Sequence, residues 1–384
     1  MIDAAKPFIL FDDARAGGGP GRLYADPVEI VETRDPSEVH ACLARLRTAQ
    51  TGGLHAAGFL SYEAGLALEP RLVPLAASPP AGAPPLLWFG LFREAAIADA
   101  ANLLPPAGGS AGTPAPALDE ATYAAALGRV KEHILAGDIY QANLTFQNAV
   151  AVEGDPLALY AAIRGRARAG HGGIVHTGAH WLLSFSPELF FTLEGRRVVT
   201  RPMKGTAPRH ADPGEDRAAV EALRSDPKQR SENLMIVDLL RNDLSRIARP
   251  GTVKVPALFT VETYPTVHQM TSTVAAETED GIGAFDIIKA IFPCGSITGA
   301  PKIRAMEIIA QVEQGPRGAY TGSIGWVEPG GDASFNVAIR TLTLAAGARM
   351  ASLGLGSGIV ADSNAAGEWR ECLSKGAFVC VRND

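Results

Sequence analysis

The sequence predicts an α+β fold, and three observations carry that expectation. Strand-like runs are long and follow one another through turns, without the regular strand–helix alternation of a parallel sheet. Helical patterns come singly or in pairs between those runs. Hydrophobic residues make up 47% and charged residues 20% of the 384, enough apolar surface for a packed core.

The elements follow in order. Phe8–Phe11, Ala57–Tyr62 and Leu86–Phe92 read as short strands and Pro36–Thr48 as a helix. The stretch LPPAGGSAGTPAPAL fixes no period, so residues 104–118 read as a Pro/Gly/Ala linker between an N-terminal region, 1–103, and a larger domain, 119–384. Asp119 is placed to cap a helix over Glu120–Ala136 that Gly137 ends. Strand patterns follow at Ile139–Val152, His180–Thr192 and Arg197–Thr200. Leu234, Val237, Leu240 and Leu244 recur at near-helical spacing and predict a long helix, Pro227–Ala248. β-like text returns over Thr252–Ala276, broken by Pro256 and Pro265. Helices Ala284–Ile291 and Lys302–Gln314, strands Ala319–Val327, Ala333–Thr343 and Met350–Leu355, and a helix Ala365–Phe378 complete the reading.

Charge and cysteines narrow the function classes. Lys and Arg number 35 against 41 Asp and Glu, a net charge of −6, so no global positive field gathers nucleic acid or an anionic membrane as a partner. An anionic ligand must be held by local groups. Cys42, Cys294, Cys372 and Cys380 show no CxxC spacing, and neither a signal peptide nor a run of about 18 uncharged apolar residues is visible, so a cytoplasmic protein is expected.

Four patches hold more charge and glycine than their elements need. Residues 201–209, RPMKGTAPR, form a loop-like stretch with three cations and a glycine. Glu232 lies near the start of the long helix, and Glu368, Glu371 and Lys375 share a face of the last one. GSITGAPK, 295–302, is a glycine-rich turn entering a helix at Pro301 or Lys302, suited to a carboxylate but matching neither a P-loop nor a dinucleotide fingerprint. Parallel to that fourth patch, a glycine pair, Gly356-Ser357-Gly358, follows a strand. Taken alone, the basic stretch reads first as a solvated turn and the acidic sites as surface residues or ion pairs, while the glycine-rich turn reads equally well as a structural helix entry.

Together and in order, GDIYQANL (137–144), SFSPELF (184–190), RPMKGTAPR (201–209), ENLMIVDLLRNDLSR (232–246), VHQMTSTV (267–274), GSITGAPKIRAMEII (295–309), AYTGSIGW (319–326), FNVAIRTL (335–342), GSGIVADS (356–363) and EWRECLSK (368–375) resemble the chorismate-utilising enzymes. That family comprises the anthranilate, aminodeoxychorismate, isochorismate and salicylate synthases. The resemblance implies a large antiparallel β-sandwich core with helices packed outside, the fold of anthranilate synthase component I. Lys204 in RPMKGT resembles the branch that aminates chorismate at C4, where a Lys stands in a P-I-K-G-T context; anthranilate synthases carry a small residue there. No L-L-E-S motif is present, although GFLSYE, 58–63, resembles a strand that can line a tryptophan pocket. The branch implied is the one leading to para-aminobenzoate and folate.

The resemblance also implies roles. Mg²⁺ would lie between Glu232 and Glu371, with Glu368 contributing through water, to hold the ring carboxylate. Glu188 would be the acid that protonates the departing C4 hydroxyl, its pKa raised by Phe185, Leu189, Phe190 and Phe191 around it. Lys204 would either add to C2 as a neutral amine, to be expelled when ammonia attacks C4, or act as a fixed charge that keeps nucleophiles from C2. Tyr320 and Arg340 would hold the side-chain carboxylate, with Ser296, Thr298, Gly356, Gly358 and Lys375 around the two acid groups and His268 near the departing oxygen. No GxCxG motif is present, so ammonia is expected from a separate glutamine amidotransferase subunit, and a separate aminodeoxychorismate lyase is expected downstream. The alternatives are anthranilate synthase component I and a non-catalytic regulator that binds tryptophan or the amidotransferase.

Overall fold

The computed structural model describes residues 2–264 and 267–381; the expected break at Pro265 lies outside them. The N-terminal part forms β1 (Phe8–Asp12), β2 (Gly21–Ala25), β3 (Glu29–Thr33), α1 (Val39–Thr51), β4 (His55–Leu60), α2 (Ala64–Leu68), β5 (Leu87–Phe92), β6 (Ala96–Ala98) and α3 (Ala100–Leu103). Next come β7 (Ser110–Ala111), β8 (Ala115–Pro116), α4 (Glu120–Leu135), β9 (Gln141–Glu153), α5 (Pro156–Ala167), β10 (Gly172–His176), β11 (His180–Ser184), β12 (Leu189–Glu194), β13 (Arg197–Arg201) and β14 (Met203–Pro208). Helices α6 (Pro213–Ser225) and α7 (Pro227–Ser245) precede β15 (Lys254–Thr263), β16 (Val267–Glu277), α8 (Ala284–Ile291), β17 (Gly299–Ala300) and α9 (Lys302–Val312). The chain continues through β18 (Ser323–Val327), β19 (Ala333–Asn336), β20 (Thr341–Ala345), β21 (Met350–Ile359) and α10 (Ala365–Lys375).

Two antiparallel sheets result. One runs β17-β9-β21-β20-β11-β10-β1-β2-β6, with β7 and β8 also on β9; the other runs β14-β16-β13-β12-β19-β18-β4-β5-β3, with β15 on β16. Between them lies an aromatic layer in which Tyr24, Phe59, Trp88 and Phe92 are at most 1% exposed. The chain's own side chains thus occupy the space beside the GFLSYE strand. Helices α4, α5, α9 and α10 cover the outer face of the first sheet and α1, α2, α7 and α8 that of the second, each through its own apolar cluster. This is the expected sandwich with helices outside.

Residues 1–103 contribute strands to both sheets, and the Pro/Gly/Ala stretch adds two short strands along β9. Asp119 caps α4 by accepting from the Thr122 amide, and Gly137 follows it at φ +81°, as its sequence indicates. Four readings change. The run His180–Thr192 is two strands in different sheets, as is Ala333–Thr343. Within RPMKGTAPR, Met203–Pro208 is strand β14 on β16, held by backbone pairing that its residue types do not advertise. Gly356-Ser357-Gly358 lies inside β21, where Cβ atoms at 356 and 358 would meet β9. Helix α5 is absent from the periodicity because Leu157, Leu159, Tyr160 and Ile163 all bury and blur any single apolar face.

Candidate active site

The two broken runs position the first site residues. Between β11 and β12 the chain crosses from one sheet to the other at Phe185–Glu188, and between β19 and β20 it crosses back at Val337–Arg340. The crossings run side by side: the Phe185 amide donates to the Arg340 carbonyl at 3.0 Å and the Val337 amide to the Glu188 carbonyl at 3.0 Å. Glu188 is 4% exposed and its Oε1 has no hydrogen-bond partner. Burial pushes its carboxyl up, while the Ser296 hydroxyl and the Lys204 charge pull it back. Arg340 sits at φ +49°, a strained region for a residue with a Cβ, and among the described residues its guanidinium makes neither hydrogen bond nor ion pair. Such a cation is available to an anion.

Lys204 comes from β14, where the register against β16 shifts between Met203 and Thr206 around Gly205 at φ +93°. Its Nζ lies against the Gly-Ser-Gly segment of the other sheet, since a Cβ on Gly358 would stand 3.6 Å from it and would strike Gln141 Nε2. Burial pushes the Lys204 ammonium down, Lys375 pushes the same way, and Glu188, Glu232 and Glu371 pull it up. Among the described residues it forms no hydrogen bond or ion pair.

The acidic residues arrive on two helices. Asp226 caps α7 by accepting from the Gln229 amide, and Ile236, Val237, Leu240 and Leu244 fix the helix by burial, which turns Glu232 toward Lys204. Asn364 caps α10, and buried Trp369 and Cys372 orient it. Glu232 is half-buried and unpaired among the described residues; burial raises its carboxyl, as do Asp362 and Glu368, against Lys204 and Lys228. Glu371 pairs with Lys375 at 2.7 Å, Lys375 Nζ also donates to the Gly356 carbonyl at 3.0 Å, and Glu368 accepts from Ser363 at 2.7 Å.

Among the described residues no three His, Cys, Asp or Glu side chains converge as a metal-holding group. An unpaired, partly desolvated carboxylate facing other acids nonetheless fits a hard cation that takes one or two carboxylates and draws its other ligands from water and substrate. Glu232 and Glu371, the latter paired with Lys375, would be that donor set, with Glu368 behind them.

The remaining expected residues divide. Ser296 is buried beside Glu188, 3.3 Å from Cys294 Sγ. Thr298 donates its hydroxyl to the carbonyls of Cys294 and Gly295, so it braces its own turn. Tyr320 packs its ring where a Cβ on Gly354 would be, and both line a cleft of about 330 Å³ in which neither Lys204 nor Glu188 takes part. His268 has both ring nitrogens engaged, Nε2 with Asp216 at 2.9 Å and Nδ1 with Thr263 at 3.0 Å, and it is 1% exposed. Two residues escaped the sequence reading. Gln141, buried with Oε1 unpartnered, belongs to the GDIYQANL block, and Asn233, buried with Nδ2 unpartnered, follows Glu232 directly. Polar side chains inside quoted blocks were the available signal for both.

Comparison with known proteins identifies the family. Residues 95–380 match the profile described as chorismate binding enzyme. The chain is 45% identical over 249 residues to aminodeoxychorismate synthase component 1 of Salmonella typhimurium (strain LT2), covering 64% of this chain and 54% of that protein. It is 42% identical over 261 residues to anthranilate synthase component 1 of Streptomyces coelicolor, covering 67% and 50%. The chain therefore spans about half the length of the curated relatives it matches. Anthranilate synthase component I from Streptococcus pneumoniae superposes with a TM-score of 0.79 at 24% identity over 95% of this chain and 93% of that one, which establishes the shared fold. With the profile covering most of the chain, the protein belongs to the chorismate-binding enzyme family.

Proposed function

We propose that this chain is the aminating component of an aminodeoxychorismate synthase, converting chorismate and ammonia to 4-amino-4-deoxychorismate. The observation that carries the reading is the primary amine of Lys204 poised against Gly358 with Glu188 and Glu232 around it. Similarity to proteins named aminodeoxychorismate synthase component 1 supports it.

Arg340 would take the side-chain carboxylate through a guanidinium that is unpaired among the described residues, whereas Tyr320 lines the cleft apart from Lys204 and Glu188 and has no role in this step. Mg²⁺, held by Glu232 and Glu371, would neutralise the ring carboxylate. Glu188 protonates the C4 hydroxyl so that it leaves as water, while Lys204 Nζ adds to C2 and both double bonds of the ring diene shift, from C1=C2 and C5=C6 to C1=C6 and C4=C5. Ammonia then forms the C–N bond at C4, both double bonds return, and the C2–Nζ bond breaks to restore the lysine. Burial favours neutral Glu188 and neutral Lys204, the forms that the protonation and the addition need.

A glutamine amidotransferase subunit would supply ammonia and a separate lyase would consume the product. The four cysteines are free, which suits a reducing cytoplasm. Among the described residues no helix is long and apolar enough to cross a membrane. The test is purified protein with chorismate, Mg²⁺ and ammonium salt. Aminodeoxychorismate should accumulate, and pyruvate should appear only after a lyase is added. Prompt fluorescent anthranilate with pyruvate would replace the C4 assignment by anthranilate synthesis, and Mg²⁺-dependent turnover of zero would favour a regulator.

A further inference from the structure

Residues 267–274, VHQMTSTV, stand out in the sequence, yet the mechanism uses none of them. Ser272, at the centre of β16, is fully buried and joins three elements. Its amide donates to the Pro202 carbonyl at 3.3 Å, two residues before Lys204. Its hydroxyl donates to Asn233 Oδ1 at 2.5 Å, one residue after Glu232, and accepts from the Phe259 amide at 3.1 Å.

Phe259 supplies an independent observation. It lies where β15 shifts register against β16 between Ala257 and Thr260, and it holds φ +56°, a conformation that a residue with an aromatic side chain rarely adopts. Strain of this kind persists only where the surroundings over-determine it, and it gathers at functional sites. Two contacts hold it here. The Ser272 hydroxyl takes its amide, and the Arg230 guanidinium lies over its ring at 4.7 Å. Arg230 and Asn233 flank Glu232 on α7, so the strained bulge grips the helix on both sides of that carboxylate.

We propose that Ser272 is a positioning residue that sets the distance between Lys204 and Glu232, and through it the placement, relative to the amine, of the carboxylate that would hold the metal. The inference rests on the reading of Lys204 and Glu232 given above. Neither residue touches Ser272 through its side chain. The hydroxyl ties the Asn233 side chain of α7 to β16, and the Ser272 amide holds the Pro202 carbonyl at the entrance to the strand that carries the amine; a chain of hydrogen bonds of this kind transmits small displacements because the interior is close-packed.

The experiment compares wild type, Ser272→Ala, Ser272→Cys and Ser272→Thr. Metal binding is read without turnover, from Mn²⁺ bound by electron paramagnetic resonance with chorismate present, and kcat and KM for chorismate are measured alongside. Loss of one hydrogen bond predicts a weakening of Mn²⁺ binding by about three- to tenfold in Ser272→Ala, with KM raised in step and partial recovery in Ser272→Thr. If Ser272→Ala does not fold, the isosteric Ser272→Cys carries the same prediction. Unchanged Mn²⁺ affinity and KM in a folded variant would overturn the inference while wild-type amination stands. A wild type that binds Mn²⁺ and makes no aminodeoxychorismate would instead overturn the functional reading.

Discussion

Glu188 and Lys204 share one buried space, and burial drives the carboxyl up and the ammonium down while each charge draws the other back. The two titrate as a coupled pair, so an activity profile reports the pair and not either residue alone. The acid must be protonated, so activity falls as pH rises through its raised pKa. The amine must be neutral, so activity also falls as pH drops through its lowered one. A plot of kcat/KM against pH is expected to be bell-shaped, with both limbs inside the interval from about 4.3 to about 10.4 that free Glu and Lys define. A flat profile across that interval would count against the assignment.

The same shift carries a stability statement. A carboxyl whose folded pKa is raised contributes stability below its unfolded pKa, about 4.3, and loses it as pH rises through the folded value. Glu188→Gln should therefore melt higher than wild type on the alkaline side while kcat falls by about 10²- to 10⁴-fold. Thermal melts at several pH values, with turnover assays in parallel, check both halves.

Covalent and electrostatic roles for Lys204 separate in the Lys204→Arg variant. A guanidinium keeps the charge and cannot serve as a neutral nucleophile. Both Lys204→Ala and Lys204→Arg should lose at least about 10²-fold in amination, measured by coupled lyase assay. Near-wild-type rates in Lys204→Arg would leave only the fixed charge.

The two glycines that flank Ser357 in β21 should respond differently to alanine. At Gly358 the new methyl would strike Gln141 and stand 3.6 Å from Lys204 Nζ, so kcat/KM should fall by about tenfold or more in a folded protein. At Gly356 it would meet the Leu144 carbonyl at 2.7 Å as well as Thr145, so destabilisation of about 1–3 kcal/mol is expected first. Denaturant midpoints beside kinetic constants decide.

Arg340→Lys should raise KM for chorismate by about tenfold, because a single ammonium cannot grip a carboxylate through two parallel bonds. Arg340→Gly should raise KM further yet unfold at higher denaturant, since φ +49° costs glycine nothing. A KM unchanged in both would show that this cation does not meet the substrate.

Local chemistry was legible from the chain alone wherever a rule acts over a few residues. The Asp119 cap, the Gly137 stop, the apolar stripe of α7 and the boundaries of α8 follow from capping, φ freedom and 3.6-residue periodicity. Block order identified the family and named Glu188, Lys204, Glu232 and Arg340 together. Only the packed molecule decided that two strand-like runs break and cross between sheets, because a crossing needs a partner sheet on each side and leaves the alternation of residues intact. The crossings carry Glu188 and Arg340, and the backbone pairing of β14 with β16 turns a loop-like RPMKGTAPR into the strand that aims Lys204. The engagement of both His268 nitrogens and the joining of Lys204's strand to Glu232's helix through Ser272 likewise depend on residues tens of positions apart, which no local pattern encodes.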